Sequence, residues 1–335
     1  MIALCFVVAH FVETEREIKI VLAGVLAVMF LEGGVGALQQ IRGQSLGLKI
    51  LGEDEKIETQ DMGPMASRSR VGGTMGHANR MAMFMGFLLP TTFALALASS
   101  GSTQKDGTGK FRLVAQGALI VGSIALLFTL SRAGWLCFAI SSALVLLLSW
   151  RYSRNKKLIA ISAAAGICIV AALIGLNSDV IQRRINADDR GSFDTRLPMV
   201  KVASRVIQDH PLFGSGLGNY REWLPRYHNP YEPFTRIAKV HNVPLLITAE
   251  IGPLGLLAYL ALVLSAWWGT WRKLHTLSGL NQTLAIGLLG GILAFLIHSM
   301  VDYIEVTRFP VLWFALGLLE ALPRVNTVQL FAENS

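Results

Sequence analysis

Several groups of residues in this chain have types and spacings that could do chemistry. The densest set of cations lies in a polar stretch where Leu197, Val200, Ala203 and Ile207 recur at helical spacing before His210-Pro211 ends the pattern. Asp194 and Thr195 are the expected N-caps, and Pro198 suits a first turn. The other face of this predicted amphipathic helix, which would lie at a membrane surface, carries Arg196, Lys201 and Arg205. That face suits a diphosphate or an anionic lipid headgroup, and equally a solvated basic surface. Arg132, in Ser131-Arg132-Ala133-Gly134-Trp135, sits where two apolar blocks meet almost without a loop. A guanidinium at that depth costs a few kcal/mol unless it is paired or lines a wet cavity; the plainer alternative is snorkelling to the interface beside Trp135.

Histidines mark three further junctions. His241-Asn242 ends the polar stretch, with Glu250 two turns into the block that follows, and an interfacial imidazole can act as general base for a hydroxyl or serve as a structural donor. His77, with Asn79 and Arg80, opens another block. His298 and Asp302 are spaced i, i+4 at the end of a third, so one helix face could hold a histidine–carboxylate hydrogen bond. Between the cations and His241 runs Pro211-Leu212-Phe213-Gly214-Ser215-Gly216-Leu217-Gly218-Asn219-Tyr220. Its alternating glycines are not a dinucleotide fingerprint, because no buried strand or βαβ unit surrounds them; they predict a tight turn whose backbone, at Gly216 above all, approaches another element or a sugar. Glu32 lies deep in an apolar block and needs a partner that the sequence does not name. No D-x-D, G-x-S-x-G, H-E-x-x-H or Walker pattern is present, so chemistry without a metal, nucleotide or other cofactor is expected.

The elements that must position these residues follow from composition. Of 335 residues 53% are hydrophobic and 16% charged, against about 25% charged in an ordinary soluble domain. The apolar residues form long blocks with the charges between them, which excludes a water-soluble globular protein. A hydrocarbon core about 30 Å thick needs about 20 apolar residues as a helix. Blocks of about that length run over 18–38, 78–99, 111–130, 133–150, 157–176, 242–268, 282–300 and 309–322, and residues 1–12 are apolar but too short to span. Cys5, Cys137 and Cys168 all fall in such blocks, so neither a disulfide framework nor a metal-binding C-x-x-C pair is expected.

The expected fold is an all-α polytopic transmembrane bundle of about eight or nine spans, shortened at its start, with one large extracytoplasmic loop. Its parts are N-terminal spans over 1–176, the loop over 177–241, C-terminal spans over 242–323 and a cytoplasmic tail over 324–335. Lys105, Lys110, Arg112, Arg151, Arg154, Lys156, Lys157, Arg272, Lys273 and Arg324 then fall on one side, which the positive-inside bias makes the cytoplasm. The net charge of +8 therefore reads as topology, and no nucleic-acid partner is expected.

Four stretches taken together resemble the O-antigen ligase family of bacterial envelope proteins, which also holds O-antigen polymerases and protein O-oligosaccharyltransferases. They are Gly73-Thr74-Met75-Gly76-His77-Ala78-Asn79, Ser131 to Trp135, Pro211 to Tyr220, and His241-Asn242 with Ala249-Glu250-Ile251-Gly252-Pro253-Leu254-Gly255. The resemblance implies an enzyme of the bacterial inner membrane, active on the extracytoplasmic face. It would be a metal-independent, inverting glycosyltransferase whose donor is a glycan on undecaprenyl diphosphate and whose acceptor is a lipid or glycan hydroxyl, with membrane lipids around it. It also implies Arg132, Arg196 and His241 as catalytic residues; Lys201, Arg205, His77, Asn79 and Gly216 are the residues expected to bind substrate. Family members carry more spans ahead of the first motif, and proline is common where Ala78 stands. Two rival classes remain at this stage. Intramembrane Arg, His and Glu also mark ion paths, as in a small-anion transporter, where inverted repeats and two matched broken helices would be expected. A non-catalytic scaffold of a polysaccharide assembly complex would need no clustering of Arg132, Arg196 and His241.

Overall fold

A computed structural model describes residues 1–61, 67–98, 108–153, 155–186, 190–227, 239–304, 306 and 309–334. It is a helical bundle with one two-stranded hairpin. In chain order the helices are α1 (Ile2–Phe11), α2 (Glu15–Arg42), α3 (Ala78–Leu97), α4 (Thr108–Phe128), α5 (Arg132–Tyr152), α6 (Lys156–Leu176), α7 (Ser178–Asn186), α8 (Arg190–Asp209), α9 (Tyr220–Tyr227), α10 (Val243–Lys273), α11 (Gly279–His298) and α12 (Pro310–Asn334). Strands β1 (Glu58–Asp61) and β2 (Ser67–Arg70) pair antiparallel between α2 and α3.

Seven of the described helices are long and apolar enough to cross a membrane: α2, α3, α4, α5, α6, α10 and α11. The chain is thus an all-α, integral membrane protein. The eighth expected block, 309–322, is helical, but it is not one of those seven. It opens α12, which is buried at Leu312, Leu316, Leu319 and Leu322 and packs against the short apolar α1. A Cβ at Gly317 would collide with the Cys5 carbonyl of α1. Of the basic residues that orient the map, Lys105 and Arg154 lie outside the described residues.

The centre of the bundle is α3 against α11. Both are apolar on every face, which is the pattern of a helix enclosed by others. Gly287 and Gly291 of α11 meet Thr91 and Phe87 of α3, so the two run antiparallel and so close that neither glycine has room for a methyl group. Gly134, at the start of α5, abuts Ala82, one turn into α3. The first turns of α3 and α5 and the last turn of α11 therefore share one end of the bundle, the end that carries the candidate site residues.

Polar contacts tie the connections at that end together. Glu32, in the middle of α2, accepts from the Thr74 backbone N–H at 3.0 Å and from the Thr74 hydroxyl, and so acquires the partner its sequence context demanded. One turn or two further on, Gln39 donates to the Gly73 carbonyl and to Glu53 Oε1, and accepts from the Gly73 N–H at 2.9 Å. The segment before α3 is thus clamped from inside the membrane helix. Val71 N–H then bonds the Phe128 carbonyl at 3.1 Å and Arg70 Nε the Thr129 carbonyl at 2.9 Å, joining the hairpin to the α4–α5 turn.

Gly73 has φ of 56°, and a Cβ there would meet the Glu32 carboxylate. Gly73→Ala is expected to destabilise the protein by about 1–3 kcal/mol, the usual cost of a strained non-glycine backbone position. Thermal unfolding in detergent would show a clear drop in Tm; an unchanged Tm would mean that the clamp does not hold this segment.

Candidate active site

The site is organised by a break in α10. Gly252 has φ 75° and ψ 174°, which interrupts the helix immediately before Pro253. Proline has no N–H, so the Ala249 carbonyl loses the intrahelical donor four residues on, and the altered backbone deprives Glu250 as well. The glycine loop supplies both replacements. Ser215 N–H and Oγ each reach the Ala249 oxygen at 2.9 Å, and Gly216 N–H reaches the Glu250 oxygen at 2.8 Å. Gly214 lies against the Glu250 backbone and Gly252 against the Leu212 backbone, so a Cβ on either would collide. The alternating glycines thus approach another element, the broken helix, as one of the two sequence expectations held.

Docked on this break, α8 and α9 build a second small core with the first part of α10, from Val202, Ala203, Val206, Tyr220, Leu224, Val240, Leu246 and Ala249. Helix α8 begins at Arg190, one turn earlier than expected. Asp194 and Thr195 are therefore interior residues and not caps, and Pro198 lies within the helix. The physical reason is visible in the apolar spacing, since Phe193 precedes Leu197 by one turn and carries the pattern upstream.

His241 precedes the first turn of α10, and that turn is stitched to the end of α11. Asn242 caps the helix through its side-chain oxygen, which accepts from Leu245 N–H at 2.8 Å, while its amide donates to the Met300 carbonyl at 2.9 Å. Val243 N–H bonds the Ser299 carbonyl at 2.8 Å. His241 Nδ1 is thereby brought 2.8 Å from Asp302 Oδ1, a partner 61 residues away. Tyr303 N–H donates to the same oxygen at 2.8 Å, and the Tyr303 ring meets the imidazole edge to face at 5.2 Å. Burial raises the Asp302 pKa, but the hydrogen bond and charge of His241, with the Tyr303 N–H, outweigh it and hold the carboxyl below its ordinary range.

A carboxylate only accepts, so it holds a proton on Nδ1, and whenever the imidazole is neutral Nε2 is its basic nitrogen. The expected His298–Asp302 pair is thus corrected. Helix α11 ends at His298, so Asp302 falls in the following turn, where the i, i+4 rule for a shared face no longer applies. His298 is buried, with no hydrogen-bond partner on either ring nitrogen among the described residues. Asp302 and Arg196 are the charged groups whose fields reach it.

The other expected residues fall into separate networks. Arg132, in the first turn of α5, donates to the Ile185 carbonyl of α7 at 3.4 Å, and Arg184 of α7 donates in return to the Leu130 carbonyl at 2.9 Å. Arg184 and α7 were not among the residues singled out in sequence, although Ile181 and Ile185 recur at helical spacing. His77 caps α3 by accepting the Asn79 N–H on Nδ1, and its Nε2 lies 2.8 Å from Glu58 of the hairpin. Asn79 accepts from Arg70, which also pairs with Glu58 at 3.2 Å. Burial works against the Glu58 charge, yet His77 and Arg70 hold its pKa below the ordinary value. Arg205 reaches the Tyr227 carbonyl at 3.4 Å, whose phenol donates to Asp209 at 2.7 Å, while Lys201 is exposed. Among the described residues no cluster of three or more His, Cys, Asp or Glu could hold a metal ion.

The fold and this geometry define a polytopic membrane protein with a histidine–aspartate dyad and arginines at one end of the bundle. Residues 117–260 match the model of the O-antigen ligase family. The matched segment takes in Arg132, Arg196, Gly216 and His241 and ends before Asp302; His77 and Asn79 precede it. A comparison with curated proteins finds no match.

Because the folded Asp302 pKa is depressed, its contribution to stability is present above the ordinary carboxylate range and is lost as pH falls through the folded value. Asp302→Asn is expected to lower Tm at neutral pH, and the gap from wild type should close below about pH 4. A gap that stays constant from neutral to strongly acidic pH would remove the ion pair from the account of this site.

Proposed function

We propose that this membrane protein transfers a glycan from undecaprenyl diphosphate to an acceptor hydroxyl at the extracytoplasmic face of the bacterial inner membrane, without a metal. The observation that carries the reading is the oriented imidazole of His241, held by a buried carboxylate and with Nε2 left as its basic nitrogen. His241 Nε2 takes the acceptor hydroxyl proton as that oxygen attacks the anomeric carbon from the face opposite the diphosphate. The bond from the anomeric carbon to the diphosphate oxygen breaks, and the lipid diphosphate departs as an anion with inversion at the sugar. Arg196, on α8, and Arg132, at the start of α5, are assigned to the developing charge on the diphosphate, where a guanidinium fork matches the oxygens. Lys201, the most exposed of the α8 cations assigned here, guides anionic donor toward them.

The match to the O-antigen ligase family supports a ligase or polymerase over the other classes. A small-anion transporter would hold its ion with backbone N–H groups at the N-terminus of a broken helix, since freed carbonyls repel an anion. Among the described residues the break in α10 frees the Ala249 and Glu250 carbonyls, and both are occupied by the glycine loop.

The test is transfer by purified protein in EDTA, with undecaprenyl-diphosphate glycan and a panel of lipid, glycan and protein acceptors. His241→Ala is expected to lose about 10²–10⁴-fold in kcat, the usual worth of a positioned general base. Arg132→Ala should lose activity in the same preparation without loss of membrane insertion. Wild-type rates in either inserted mutant would sink its assignment, and wild-type activity abolished by EDTA would overturn the metal-independent mechanism.

A further inference from the structure

The glycine loop turns a strongly apolar edge outward. Phe213 is 79% exposed, and Leu212 and Leu217 are exposed on either side of it. In a chain segment flanked by water such residues would face a cost of roughly 1.5–3 kcal/mol each relative to burial. Their height is set by the docking described above, because the Leu212 backbone lies against Gly252 and Gly216 bonds the Glu250 carbonyl. The part of α10 beyond the break, Pro253 to Lys273, is about 30 Å long at about 1.5 Å per residue, the thickness of a hydrocarbon core of about 30 Å. With Arg272 and Lys273 at one boundary, the break marks the opposite one.

Two further observations put this edge in contact with the membrane. On α10 itself, Leu254 and Leu257 are 62% and 61% exposed just past the break, so the apolar edge of the loop continues the helix's outward apolar face. Beneath the loop, Trp223 donates to the Ser215 carbonyl at 3.2 Å, and Arg226 lies over its ring at 4.4 Å. An indole topped by a guanidinium is the amphipathic pairing that residues at a bilayer interface provide.

We infer that Leu212, Phe213 and Leu217 insert into the acyl-chain region of the adjoining leaflet and anchor the α8–α9 unit to the bilayer. The occupant of this surface is lipid hydrocarbon, and the anchoring is independent of the glycan-transfer reading. One consequence is that the small core of α8 and α9 stays at membrane level and cannot lift away with its cations.

The full-length protein, with Cys5, Cys137 and Cys168 replaced by alanine, would carry bimane at Phe213→Cys in vesicles of phosphatidylethanolamine and phosphatidylglycerol. Leu254→Cys serves as the lipid-facing reference and Glu222→Cys, on the exposed side of α9, as the water-facing one; monodispersity on gel filtration confirms folding. The expected result is a loss of emission at Phe213→Cys with acyl-brominated lipid matching that at Leu254→Cys, and little loss with iodide. Iodide quenching equal to that at Glu222→Cys would overturn the inference. Protection from both quenchers would overturn it too, by showing that protein covers the edge. Leu217→Cys, read in the same way, guards against a local distortion at Phe213.

Discussion

The structure turns on a backbone debt at Gly252-Pro253. A helix broken at the edge of the hydrocarbon core leaves carbonyls that acyl chains cannot satisfy, and here both find protein donors. Here the donors come from a loop that follows α8 in sequence, so satisfying the helix and placing the extramembrane unit are one event. The positive φ at Gly252, the missing Cβ at Gly214 and the hydroxyl of Ser215 are each needed for that contact. From it follows the small core shared by α8, α9 and the first part of α10.

The same logic governs the other polar groups at this end. Glu32 and Gln39 project from a membrane helix, where an unpaired carboxylate would be expensive, and both are committed to the turn ahead of α3. His77, Glu58, Arg70 and Asn79 form a closed set that binds the hairpin to α3 and, through Thr129, to the α4–α5 turn. These residues hold the hairpin and the turn ahead of α3 over the bundle. Their conservative look in sequence, a histidine and asparagine at a helix start, reflects capping chemistry as much as any ligand.

Much of the fold was legible because bilayer thickness imposes one length on every span, and block length with confined charge recovers it. What escaped was short and polar. The hairpin strands Glu58–Asp61 and Ser67–Arg70 contain no apolar residue, so no alternation betrays them. Helix α7 is nine residues of mixed character, and its Arg184 gave no signal. At the site, His241 and the glycine loop stood out by type and position, but their partners did not: Asp302 lies 61 residues from His241, and the nearer His298 offered a more local pairing that the end of α11 forbids. Residue type is local information; the meeting of two helix ends is set by tertiary packing.

That meeting also has a place in time. His241 stands at the start of α10, whereas Asp302, Tyr303 and the carbonyls of Ser299 and Met300 that seat Asn242 and Val243 all follow α11. A chain emerging from the ribosome therefore inserts α10 with an imidazole that has neither its carboxylate nor its seat. The dyad closes only once α11 has crossed the membrane and returned to the same side. Until then the protein carries a histidine without a fixed tautomer.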